Sequence, residues 1–209
     1  MKEYILIKMI SYMQINSNRI EEIINSETIK KFKDYVIKYL KIKNYSISCK
    51  SFSYDCYGYI NQNTNASFTL KENEIIFYTE AIANNISCAF KVFENSKNKI
   101  LYENVALIYI KLALVHELVH AKQFENKKLT KDIFNETKNI EYEKRWFEIE
   151  ANDTAIDFML NHTDDFGKKI INYLNDRSSF TNFKRPNIME EKEFSDLATY
   201  LDNSSIYTS

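Results

Sequence analysis

An α+β fold is what this sequence predicts, on three observations. Only two glycines and one proline occur in 209 residues, so tight turns are scarce and long helices are favoured. Apolar residues recur at helical spacing towards both ends of the chain. Between them lies one window, Tyr45 to Thr79, whose β-branched and aromatic residues are broken by Asn-rich turns. An apolar content of 44% and a charged content of 27% are ordinary for a chain that buries a core. The length suits a single domain, 1–209, with helical additions.

Taken in order, Asn16-Ser17-Asn18 offers caps for a helix carrying Ile20, Ile23, Ile24, Phe32, Val36, Tyr39 and Leu40. Residues 18–42 are therefore one amphipathic helix or two short ones. Six lysines between Lys30 and Lys43 decorate it, and a solvated face explains them better than a nucleic-acid contact. Strands are predicted at Ile47–Tyr54, Gly58–Ile60, Ala66–Leu70 and Glu74–Thr79, with Lys71-Glu72-Asn73 turning the last two into a hairpin. Residues 80–100 give mixed signals, with Ala81–Phe93 helical or irregular. Glu103–Asn126 is the strongest helix; Val105, Ala106, Leu107, Ile108, Ile110, Leu112, Ala113, Leu114 and Val115 leave it little polar face, so it is buried on most sides. A polar stretch, Asn126–Asn139, leads to a second long helix from about Ile140 to His162. Asp165–Asp176 and Ile188–Leu201, the latter after Pro186, are further helices.

Composition narrows the function classes. A formal charge of −1 supplies no general field for nucleic acid or anionic membrane. No apolar run approaches the roughly 20 residues that span a bilayer. Met1–Ile10 is interrupted by Glu3 and Lys8 and lacks a small-residue cleavage site, so it does not resemble a signal peptide. Cys49, Cys56 and Cys88 are not spaced as metal pairs; Cys49 and Cys56 would bridge only in a secreted protein, and a reduced state is expected. The expected location is cytoplasmic, although an effector or toxin delivered by a specialised export system has the same signature. No oligomeric state is legible.

The chemistry concentrates in His116-Glu117-Leu118-Val119-His120, which holds two of only three histidines. Residues four apart share a helix face, so both imidazoles reach one metal ion, and Glu117 stands beside it as a base without being a ligand. In so apolar a helix, unpaired polar groups are costly, and a metal offsets that cost. An open zinc site takes three protein ligands and a water. Glu148 and Glu150, in Glu148-Ile149-Glu150-Ala151-Asn152-Asp153-Thr154-Ala155, are the candidates for the third, and being two apart they point to opposite sides of a helix. Glu150 shares a polar stripe with Glu143, Thr154 and Asp157; Glu148 lies beside Ala151 and Ala155, where another helix can approach. Phase alone leaves the two even.

His116-Glu117-Leu118-Val119-His120-Ala121 followed some thirty residues later by Glu150-Ala151-Asn152-Asp153-Thr154-Ala155 resembles the gluzincin arrangement, and especially the ImmA/IrrE family of metallopeptidases. The resemblance covers about Ile75 to Leu160. It implies a zincin-like fold: a small twisted sheet packed on the buried HExxH helix and on a second ligand-bearing helix. It also implies that the glutamate before Ala-Asn, Glu150, is the third zinc ligand beside His116 and His120. On this basis 1–44 is a helical N-terminal extension, 45–162 the catalytic core and 163–209 C-terminal helices. Two family features are absent: a further histidine soon after the motif, and a helix-turn-helix DNA-binding domain. Thermolysin-like enzymes orient a histidine with an aspartate four residues after the ligand glutamate. Position 154 here is threonine, which leaves Thr154 or Asp153 for that task.

The implied function is a zinc metalloendopeptidase with Glu117 as general base and a narrow intracellular protein or peptide substrate, with no direct nucleic-acid or membrane partner. The alternative is a zinc-bound, non-proteolytic regulatory or partner-binding protein on the same scaffold. Tyr142, Arg145, His162 and Tyr173 are candidate donors to the developing oxyanion, His162 being better suited to a helix C-terminus. The Glu74–Thr79 strand precedes the zinc helix as the edge strand does in zincins, and its open edge would hold an extended peptide.

Overall fold

The computed structural model describes residues 16–43, 46–52, 64–89 and 99–176. The strand expected at Gly58–Ile60, the helix expected at Ile188–Leu201, the Met1–Ile10 segment and Cys56 lie outside them. The described residues are mostly helical with one small mixed sheet, an α+β arrangement.

The first amphipathic stretch divides into two helices because it carries two caps. Asn16 Oδ1 accepts from the Arg19 amide to open α1 (Ser17–Ile24), and Ser26 Oγ accepts from the Ile29 amide to open α2 (Glu27–Tyr39). Strand β1 (Ser48–Phe52) pairs in parallel with β3 (Glu74–Tyr78), while β2 (Ala66–Thr69) pairs with β3 antiparallel, in the order β1-β3-β2. The β2–β3 hairpin closes with Asn73 in the left-handed region (φ 50°) and a 3.1 Å bond from Thr69 Oγ1 to the Glu74 carbonyl.

This order corrects the expectation that the Glu74–Thr79 strand is an open edge. β3 is central: Ile75 and Phe77 are completely buried, and strands flank it on both sides. Among the described residues the edge strands are β1 and the half-buried β2.

Helix α3 (Thr79–Ala89) follows β3 directly, and α4 (Lys99–Glu125) runs through the centre of the molecule. Val105, Ala106, Ile110, Leu114, Val115 and Leu118 of α4 have no exposed surface. They pack between α2, β2 and the later helices Trp146–His162 and Asp165–Asp176. By length and composition Tyr102–Glu125 is apolar enough to cross a membrane, but 78% of its most apolar window is buried inside the molecule, which makes it a core helix. α4 ends with Lys127 in the left-handed region and the Lys128 amide donating to the Gln123 carbonyl at 2.9 Å.

The polar stretch Asn126–Asn139 contains a short helix, α5 (Lys131–Thr137), capped by Thr130 Oγ1. A 3-10 turn, Tyr142–Lys144, then leads to α6 (Trp146–His162). α6 starts six residues later than Ile140, where the periodicity begins. Arg145 is extended, and its guanidinium holds the turn by donating to the Ile140 and Lys138 carbonyls at 3.1 Å each. Helix α7 (Asp165–Asp176) closes the described chain. One hydrophobic cluster runs from Ile20 in α1 through Ile75 and Leu114 to Leu174 in α7, so the outer helices share the core of the sheet.

Candidate metal centre

The four-residue spacing puts His116 and His120 on one face of α4, turned towards α6. Their rings are nearly perpendicular (85°) with centroids 4.7 Å apart, and their Nε2 atoms are separated by 3.0 Å. From the first turn of α6, Glu148 Oε2 approaches His116 Nε2 to 3.3 Å and His120 Nε2 to 3.2 Å. Two ligand atoms of a tetrahedral zinc with bonds of about 2.0–2.1 Å are about 3.3 Å apart, so this near-equilateral triangle fits such an ion. Two imidazoles and a carboxylate are also the donor chemistry of open zinc sites. His116, His120 and Glu148 can therefore hold a metal ion, the one such group found among the described residues.

Glu150, expected as the third ligand, is corrected by its placement. Its Oε2 accepts from Gln123 Nε2 and its Oε1 from Lys128 Nζ, each at 3.0 Å, on the rim of the helix pair. Two residues on a helix differ by about 200°, so only one glutamate faces α4. The buried stripe Glu148, Ala151, Ala155 decides which, because the alanines let α4 and α6 close together. The phase of those alanines was the signal for Glu148, and the family signature outweighed it.

Gln123 is the residue of this centre that the sequence reading missed. Fully buried, it donates from Nε2 to the Phe147 carbonyl and to Glu150, both at 3.0 Å, which fixes its amide orientation. Its Oε1 then accepts from His120 Nδ1–H at 2.8 Å, leaving His120 Nε2 as the free donor to a metal. Thr154 and Asp153 are not needed for this task; the signal was a glutamine one turn beyond His120 on the same face. Gln123→Ala is expected to weaken zinc binding about 10–100-fold, measured by chelator competition, while exposed Asp153→Ala leaves it unchanged.

The electrostatics follow the same triangle. Burial opposes a charged His120, but the Glu148 hydrogen bond and the charges of Glu117 and Glu148 outweigh it and lift the ring to about 9. Burial likewise opposes the Glu148 carboxylate, and the hydrogen bonds to His116 and His120 outweigh it, holding the group at about 2. Metal-free His120 therefore carries a proton below about pH 9, and a metal must displace it. Zinc affinity is expected to rise with pH up to about 9. Calorimetry near neutrality in buffers of differing ionisation enthalpy should show about one proton released per zinc; none released would contradict this.

The triangle lies on the floor of a cleft of about 860 Å³. β2 forms one wall, and α5 with the 3-10 turn contributes Phe134, Tyr142 and Arg145 to the other. Glu117 is buried and lines the cleft without joining the triangle. Of the four candidate donors, Tyr142 and Arg145 line the cleft. Burial, followed by the charge and hydrogen bond of Glu148, pushes the Tyr142 phenol upward, so it keeps its proton. His162 instead stacks on Phe158 at 4.3 Å and bonds the Phe158 carbonyl at the end of α6, and Tyr173 donates to the Ala89 carbonyl in the core.

Comparison with protein-family models, curated proteins and solved structures gives no significant match to this chain. The chemistry of the site is accordingly read from its own geometry.

Proposed function

We propose that the protein is a zinc metallopeptidase of gluzincin type, zincin-like in fold, hydrolysing peptide bonds in a narrow protein substrate. The observation that carries this is the juxtaposition on one cleft floor of the His116–His120–Glu148 triangle and a carboxylate, Glu117, that stays outside it. A zinc ion held by the three residues supplies a Lewis acid for the carbonyl and lowers the pKa of a water towards neutrality. Glu117 takes the proton of the attacking water and hands it to the departing amine. Tyr142, which lines the cleft and is held protonated beside the Glu148 charge, is the chain's own donor for charge developing on the carbonyl oxygen. The outer edge of β2, which borders the cleft, takes the peptide-holding role first assigned to the following strand.

The likeness to the ImmA/IrrE signatures supports the same reading with one change. Glu150 acts at one remove, through Gln123 and His120, and Glu148 completes the metal set. Purified chain is expected to bind about one zinc and to cut some members of an unselected peptide library, read by mass spectrometry. Zinc binding with a cleavage pattern unaffected by Glu117→Gln would overturn the reading.

A further inference from the structure

We infer that the cleft accepts a peptide with a bulky apolar side chain flanked by acidic residues. This rests on the peptidase reading above and adds the class of sequence that the site selects. Charge around the cleft is segregated by sign. The acids that line it, Glu117 and Glu148, both lie on the floor, whereas Lys71, Lys131 and Arg145 stand around them with no acid of their own in the lining. The chain as a whole is at −1, so an all-cationic rim does not follow from composition.

Two of those cations have no carboxylate partner among the described residues. Lys131 has no ion pair among the described residues, and Arg145 spends its hydrogen bonds on backbone carbonyls. The Lys71 side chain is 93% exposed and among the described residues pairs with Glu72 alone, at 3.8 Å. A rim of one sign steers and retains partners of the other, although each exposed pair contributes little alone.

Between rim and floor the lining is aromatic. The Phe147 ring lies 6.1 Å from that of His120, Phe134 lies 6.2 Å from Phe147, and Phe68 lies 6.0 Å from Phe124. Leu70 and Phe134 leave 55% and 46% of their surface exposed, which is apolar area that an entering side chain covers. Rings and cations together also suit single-stranded nucleic acid. The outer edge of β2 favours a peptide: among the described residues no strand pairs with it, and its main-chain N–H and C=O groups have the spacing of an extended chain.

The test uses zinc-loaded full chain carrying Glu117→Gln and fluorescein-labelled peptides read by anisotropy. One peptide has a single Phe among Asp and Glu; a second has Lys in place of the acids; a third has Ala in place of Phe; an oligo-dT is the fourth probe. The acidic Phe peptide is expected to bind at least about tenfold tighter than each of the others. Adding Lys71→Glu and Lys131→Glu together should invert the preference between acidic and basic peptides with zinc content unchanged. Equal or weaker binding of the acidic peptide, no binding at all, or tighter binding of oligo-dT overturns the inference. Zinc content and library cleavage by the parent chain are measured alongside. A chain that holds zinc and cuts without charge preference defeats the specificity alone, and one that does neither defeats the peptidase reading.

Discussion

Glu117→Gln is expected to keep its zinc and lose cleavage by about 10²–10⁴-fold, the range for removing a positioned general base. Glutamine preserves the shape of the side chain and its hydrogen-bonding reach, and a neutral amide is easier to bury than a carboxylate. Glu117 is buried at the cleft floor yet outside the donor triangle, so nothing in the metal set is disturbed. Zinc content by elemental analysis and single-peptide cleavage rates on the same preparation separate the two properties. Loss of zinc together with activity would place Glu117 in the metal set and refute its role as the base. Unchanged activity would remove it from the chemistry altogether.

Glu148→Ala is expected to abolish stoichiometric zinc binding, with affinity falling by more than about 100-fold, beyond the range for residues that only orient ligands. Glu150→Ala should fall within or below that range, because its carboxylate reaches His120 only through Gln123. A second readout needs no metal. Glu148 is the main partner lifting His120 to about 9, so Glu148→Ala should move the His120 titration downward, followed by NMR on metal-free protein. If Glu150→Ala lost the zinc and Glu148→Ala kept it, the triangle would be wrong.

Much of this was legible in the residues themselves. The helix that carries His116 and His120 announces itself by an apolar run interrupted only by Lys111, and the four-residue interval alone places both imidazoles on one face. The hairpin around Asn73 and the cap at Asn16 are local as well, since each depends on a few neighbouring backbone groups, whereas the Ser26 cap that divides the first stretch came only with the structure. Local pattern could not place α5 or the start of α6, because Arg145 reaches back to carbonyls five and seven residues away and holds an extended turn inside a helical period.

The choice between Glu148 and Glu150 has the same character. Both sit on one helix with equal claims of charge and reach, and only the partner helix distinguishes them. Sequence determined that two histidines and the Glu117 carboxylate share a buried helix, since periodicity is a property of the chain alone. Tertiary structure decided which glutamate completes the donor set, which strand borders the cleft, and that Gln123 orients His120. Each of those depends on how closely α4, α6 and the sheet approach, and that distance is set by the small side chains between them.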